Sequence, residues 1–289
     1  MNSITCQNNI NFKGHCGSEL IKYGKESFLL TTETAFGRGL DTLDFAVNNI
    51  NKKFPNKKTK RFVVGACSTG EEVWTLKMLE NEPVEILGFD IAPRALKTAQ
   101  KGIYTFLSPN SRMVRLFKND DGYKDLFLAY GKAQTHDEEQ IYNKFHKMFE
   151  NKKVSKFNIF KRNKKFYKLK EAQPECKFIK GDINNIPPII QEQKCQIFSF
   201  RNAFYHLLTY NNGIDREERD PRKIRPMIDN IFKTVNKLLD KKGLFLMGEE
   251  ENTQCNNINF VFKALLDNGF IPIKRNEKFY DVWEKVKEV

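Results

Sequence analysis

Apolar residues recur along this chain at two periods, and the clearest change of period lies between Lys60 and Ile91. Phe62, Val63 and Val64 form an apolar run that ends in a small-residue loop, Gly65 to Gly70. A helical pattern follows, and a second apolar run, Val84, Ile86 and Leu87, ends on Asp90. A short apolar run, a loop, a helix and a second run predict a β-loop-α-β unit with an acid at its far end.

Around that unit the same patterning predicts further elements. Leu40, Leu43, Val47, Ile50 and Phe54 alternate spacings of three and four, which gives an amphipathic helix over Asp41 to Phe54 with Asp41 as its cap. Ala92 to Lys101 reads as a short helix with Pro93 in its first turn and Gly102 as its stop. Cys176 to Ile183, Gln196 to Asn202 and the run from Gly243 to Gly248 read as strands, with Lys241-Lys242-Gly243 as a turn. Ile224, Met227, Ile228, Ile231, Phe232, Val235 and Leu238 form a continuous stripe on a helix from Arg222 to Leu239. A helix over Ile258 to Leu266 and two final runs, expected to form an antiparallel hairpin, close the chain. Strands alternating with helices imply an α/β fold with a doubly wound, mostly parallel sheet.

Two stretches fall outside this rhythm. Residues 1–28 show little periodicity and are expected to be loosely ordered. Residues 105–175 read as an insertion, part helix over Glu138 to Phe149 and part β-ribbon over Val154 to Leu169. Residues 29–289 then form one domain that carries this insertion.

The composition of the 289 residues, 40% hydrophobic and 29% charged, is that of a soluble globular protein. No apolar run approaches the ~18 residues of a membrane span. The start of the chain has no basic-then-apolar signal, so a cytoplasmic location is expected. The six cysteines are scattered without a C-x-x-C pair, which suggests reduced thiols and no metal site. The net charge of +13 is concentrated. From Lys144 to Lys170, eleven Lys or Arg face one acid, Glu150, with Phe145, Phe149, Phe157, Phe160, Phe166 and Tyr167 interleaved. That stretch is either a solvated ribbon with a buried aromatic face or a docking surface.

The loop narrows the choice of cofactor. Gly65 and Gly70 have the spacing of a phosphate-binding loop, but Glu71-Glu72 stand where such a loop continues with Lys and Ser or Thr. Two carboxylates at a helix N-terminus oppose a triphosphate or a pyrophosphate. They suit a cofactor that is cationic there and carries no phosphate, such as S-adenosylmethionine, or they simply favour the helix dipole as first-turn acids. Asp90, twenty residues after Gly70, is placed for ribose hydroxyls.

GACSTGEEVWTL followed by GFDIAPRALKTAQKGIY resembles the signature of the CheR family of methyltransferases, which methylate receptor glutamates with S-adenosylmethionine. TTETAFGRG, IFSFRNAFYHL and LLDKKGLFLMGEEEN resemble three further family segments in the same order, so the likeness covers most of Leu29 to Asn252. It implies a Rossmann-like class I methyltransferase sheet, S-adenosylmethionine as cofactor and S-adenosylhomocysteine as product. It also implies a cofactor site formed by Thr32, Thr34, Arg38, Gly65, Ala66, Ser68, Glu71, Asp90, Ile91, Asp182, Ile183, Arg201 and Asn202. Arg38 would lie near both the cofactor and the acceptor carboxylate. The family's active-site tyrosine falls at His206, with Tyr205 one position early. The chain departs from the family at Thr32 and Gly37, and residues 1–28 are too few for the family's helical N-terminal domain.

Transfer to a carboxylate needs in-line placement but no general base, because the acceptor is already ionised at neutral pH. The expected function is methylation of protein glutamate side chains, with the basic insertion docking an acidic protein. An RNA methyltransferase and a non-catalytic cofactor-binding scaffold are the alternatives. Against RNA, the N-P-P-Y type motif is missing after the strand that ends at Phe200-Arg201-Asn202-Ala203.

Overall fold

The first parallel strand, β3 (Lys60–Gly65), is buried along its whole length, which explains why its sequence is continuously apolar rather than alternating. The computed structural model describes residues 18–23, 26–31, 34, 36–107, 136–151, 164–211, 216–248, 258–275 and 280–289. Thr32, Phe157, Phe160 and the acids Glu249 to Glu251 lie outside the described residues.

Five parallel strands and a C-terminal pair form one sheet: β3, β4 (Val84–Asp90), β8 (Cys176–Lys180), β9 (Cys195–Ser199), β12 (Leu239–Leu246), β13 (Phe270–Arg275) and β14 (Tyr280–Lys285). Their order across the sheet is β13-β14-β12-β9-β3-β4-β8. β14 runs antiparallel to both of its neighbours, and β3, β4, β8, β9 and β12 pair in parallel. This is the doubly wound, Rossmann-like α/β architecture with an antiparallel C-terminal hairpin expected from the strand–helix rhythm. From β3 the chain steps outward through β4 to β8, then returns to the other side of β3 as β9. The reversal point therefore lies between β3 and β9, where open α/β sheets hold ligands beyond their carboxyl ends.

Alternate residues of each strand feed two cores. Phe62, Val64, Ile86, Ile197, Leu244 and Leu246 face a layer with α1 (Leu40–Lys53), α2 (Glu71–Leu79) and α4 (His136–Met148). Val63, Leu87, Phe198 and Phe245 face a layer with α5 (Pro188–Gln191), α6 (Phe204–Leu208), α7 (Pro221–Leu238) and α8 (Ile258–Asp267). α7 buries Ile224, Ile228, Ile231, Phe232, Val235 and Leu238, most of the stripe read from the sequence. α3 (Pro93–Lys101) has proline at its start and Gly102 at φ 57° at its end, as its sequence indicates.

Several local expectations are corrected. α1 begins at Leu40 after Gly39 in the left-handed region, and Asp41 sits in the first turn, paired with Lys274, instead of capping the helix. A short polar cap loses here to a glycine whose positive φ lets the chain turn sharply into the helix. Residues 1–28 are not uniformly loose, because β1 (Ser18–Tyr23) and β2 (Glu26–Thr31) form an antiparallel hairpin. Lys241 to Gly243, read as a turn, lies within β12 at an irregularity in its pairing with β9.

The basic stretch contributes β6 (Phe149–Asn151) and β7 (Lys164–Leu169), which join β5 (Ile103–Leu107) in a three-stranded sheet of order β5-β7-β6. Phe145, Phe149 and Tyr167 are buried in the main core. Phe36 lies 4.8 Å from the Tyr104 ring and 5.0 Å from that of Phe145, both edge-on, and Phe145 stacks on Phe149 at 4.7 Å. Phe145, Phe149 and Tyr167 thus anchor the stretch beside Phe36.

Candidate cofactor and acceptor site

The loop after β3 is built around a carboxylate. Ala66 (φ 50°) and Ser68 (φ 49°) both lie in the left-handed region, a costly conformation for residues with a Cβ. Asp90 holds Ser68 there, its Oδ2 accepting from the Ser68 amide at 2.7 Å, while its Oδ1 accepts from the Ala92 amide at 2.8 Å. The Cys67 amide donates to the Phe89 carbonyl at 3.0 Å, and the Gly70 amide to the Cys67 carbonyl at 2.9 Å. Three loop amides, at Cys67, Ser68 and Gly70, are therefore used within the protein. A phosphate-binding loop instead turns its amides toward the ligand.

Negative charge gathers on the same loop. Glu71 is buried, and its Oε2 accepts from the Thr69 hydroxyl at 2.6 Å. Burial, reinforced by Asp90, Glu72 and Glu71, pushes the Cys67 thiol well above its ordinary pKa and keeps it protonated. Glu72 turns toward the end of β9, where it accepts from the Ser199 hydroxyl and pairs with Arg201 Nη1 at 3.0 Å. The two glutamates, adjacent in sequence, thus play different parts.

Arg201 reaches the first motif as well, since its Nη1 donates to the Arg38 carbonyl at 3.1 Å. Its guanidinium lies against Gly39, where an added Cβ would stand 2.0 Å from Nη2. The Gly37 amide donates to the Thr75 hydroxyl at 3.1 Å, and that hydroxyl in turn donates to the Glu71 carbonyl. AFGRG is thereby fastened to both α2 and β9, and Arg38 is brought to the reversal point. Asn202, at φ 55°, follows, and Gly248 approaches it so closely that an added Cβ would stand 2.0 Å from Oδ1.

At the β8 edge the Asp90 carbonyl accepts from the Gly181 amide at 3.0 Å. Asp182 follows, half-buried, with Oδ1 accepting from the Asn184 amide at 2.9 Å, and Ile183 is buried. Ile91 packs against Ala92 and Ala95. Tyr205 and His206 stand on α6, half-buried, with ring centroids 4.0 Å apart and ring planes tilted by 37°. Ser68 is bonded to Asp90, the Glu71 backbone is joined through Thr75 to Gly37, and the Arg38 carbonyl to Arg201, while Gly65 and Ala66 lie at the start of the same loop. Thr34 is half-buried at the entry to the same segment. Sequence reasoning assigned no role to Thr69, Tyr104 or Ser199, which are uncharged and become informative only through their partners.

Two orphaned polar atoms mark the crevice. Ser68 Oγ and Arg201 Nε are buried without a hydrogen-bond partner, a costly state for either atom. Among the described residues no group of three or more His, Cys, Asp or Glu is placed to hold a metal ion. No helix among them is long and apolar enough to cross a membrane.

No family model and no curated protein matches the sequence. Solved structures with a related fold include a proposed S-adenosyl-L-methionine-dependent methyltransferase from Methanococcus maripaludis, with 10% identity over 86% of this chain and 88% of that one and a TM-score of 0.40. An amino pentose methyltransferase from Micromonospora echinaspora matches at 11% identity over 72% of this chain and 49% of that one, TM-score 0.34. Phosphoethanolamine N-methyltransferase 2 from Haemonchus contortus matches at 12% identity over 84% of this chain and 40% of that one, TM-score 0.38. The chain thus spans half or less of the length of the latter two. The strand order itself, rather than these distant likenesses, defines the fold.

Proposed function

We propose that the chain binds S-adenosylmethionine at the reversal point between β3 and β9 and transfers its methyl group to glutamate side chains of an acidic protein. The observation that carries the cofactor choice is the occupation of the Ser68 amide by Asp90 beside the carboxylates of Glu71 and Glu72. A phosphate would meet acids where it needs donors, whereas an ammonium and a sulfonium would meet partners. Asp90, at the carboxyl end of β4, would meet the ribose hydroxyls. Glu71 would face the cofactor's ammonium, Arg201 Nε its carboxylate, and Asp182 with Ile183 its adenine. Ser68 Oγ, the other orphaned atom, would gain a partner from the same ligand. The bound cofactor supplies an electrophilic methyl group on sulfur. The chain's task is to align the acceptor, and Arg38 is the residue we assign to the acceptor carboxylate.

The CheR-like motifs support a carboxylate acceptor. The burial of Phe145, Phe149 and Tyr167 supports a protein rather than RNA, because these rings turn inward and offer no face on which bases would stack. Lys147, Lys168 and Lys170 are exposed and leave a cationic surface suited to an acidic partner. The test is incubation with methyl-labelled cofactor and host lysate, followed by mild alkali. Label released as methanol from protein is expected; alkali-stable label, or label on RNA alone, contradicts this reading.

A further inference from the structure

The hydroxyl of Tyr104 sits between two buried polar groups, the Trp74 indole N–H and the Thr69 carbonyl. Its ring lies edge-on against Phe36 and Phe149, at the start of β5 and opposite Tyr167 of β7. The residue is buried. A phenylalanine would fill the same volume and need no partners, and a buried hydroxyl is stable only if it is satisfied. Tyr104 is satisfied on both sides: Trp74 Nε1 donates to its oxygen at 2.6 Å, and its O–H donates to the Thr69 carbonyl at 2.7 Å. Thr69 in turn donates its own hydroxyl to Glu71 Oε2 at 2.6 Å. Burial, together with the Glu71 charge, pushes the Tyr104 phenol well up, so it remains a donor at any physiological pH.

We infer that Tyr104 and Thr69 are positioning residues that hold the Glu71 carboxylate for the cofactor's ammonium group, and that through them the three-stranded basic sheet is coupled to the cofactor loop. This rests on the cofactor assignment above and deepens it. The Thr69 carbonyl immediately precedes Gly70, whose φ of 89° sets the entry to α2. Fixing that carbonyl fixes the direction of the Thr69 side chain, and the Thr69 hydroxyl fixes one Glu71 oxygen. The line runs from β5 through the loop to an acid on α2.

The test is titration of S-adenosylmethionine into wild type, Tyr104→Phe, Thr69→Val, Glu71→Gln and the two double variants with Glu71→Gln, with unfolding midpoints measured alongside. Thr69→Val is expected to weaken binding by about ten-fold, the effect of one charge-assisted hydrogen bond, and Tyr104→Phe, which removes a neutral bond to the Thr69 carbonyl, by about five-fold. On the Glu71→Gln background neither should weaken it further, and Thr69→Ser, which keeps the hydroxyl, should bind as wild type does. If Tyr104→Phe fails to fold, the Thr69 variants carry the cycle alone. Unchanged affinity in the single variants, or full additivity on Glu71→Gln, overturns the positioning role while leaving the cofactor assignment standing. A wild-type chain that does not bind the cofactor overturns both.

Discussion

The Ser68 amide donates to Asp90 Oδ2 across the carboxyl ends of two adjacent parallel strands, and this bond ties the loop after β3 to the end of β4. It holds Ser68 in the left-handed region, withdraws a donor from any phosphate and leaves a carboxylate at the edge of the crevice. Asp90→Ala is expected to remove all three effects together. Cofactor affinity should fall by about a hundred-fold and stability by about 2 kcal/mol, since two amides lose their acceptor. Calorimetric titration and urea unfolding measure the two, and unchanged affinity would remove Asp90 from the site.

Gly39 meets Arg201 at the other end of the crevice. Gly39→Ala places a methyl group 2.0 Å from Nη2 at a residue with φ 60°. The backbone strain alone is worth about 1–2 kcal/mol, and displacing a buried guanidinium from Glu72 adds to it. We expect a loss of at least about 2 kcal/mol in urea unfolding, and methyl transfer should fall with it because AFGRG is released from β9. A wild-type unfolding midpoint would show that Arg201 swings aside without cost.

Arg61 is a structural counterpart away from the crevice. Its Nε pairs with Glu85 at 3.1 Å, Nη1 donates to the Ile190 and Gln193 carbonyls, and Nη2 donates to that of Ile189, so it closes the end of α5. Arg61→Lys should cost about 2–3 kcal/mol, because a point charge cannot span that fork of acceptors. Cofactor affinity should not change. Urea unfolding and titration of the same preparation separate the two.

Burial pushes the Cys176 and Cys195 thiols up to about 12. In the unfolded chain a thiol ionises near 8.5. Below that pH both states are protonated and the stabilisation is fully present. As pH rises from about 9 toward 12 the unfolded state loses its protons first, so unfolding is favoured by up to about 1.4 kcal/mol per pH unit for each thiol. Cys195→Ala should flatten the alkaline fall in stability by that slope. An unchanged slope in pH-dependent unfolding would contradict it.

The sheet was legible because its strands are buried on both faces and its helices carry stripes, both of which are local patterns. The cofactor loop was legible because Gly70, Glu71, Glu72 and Asp90 are charged or conformationally special and close in sequence. Division of labour between Glu71 and Glu72 was not legible: it depends on Arg201, which meets Glu72 across 129 residues of chain. The start of α1 was misread because Asp41 looks like a cap, while the turn is made by Gly39 two residues earlier. Tyr104 carries no local signal, because what sets it apart is the pairing of its hydroxyl with Trp74 and the Thr69 carbonyl. The inward orientation of Phe145, Phe149 and Tyr167 likewise needed the packing against Phe36, which no local spacing encodes.

The most direct test of the central claim is calorimetric titration of the purified chain with S-adenosylmethionine and, in parallel, with ATP and NAD. Saturable binding of one S-adenosylmethionine per chain, with no heat from ATP or NAD, is expected from a loop whose amides are occupied and whose rim is acidic. Absence of S-adenosylmethionine binding, or tighter binding of either phosphate-bearing ligand, would contradict it.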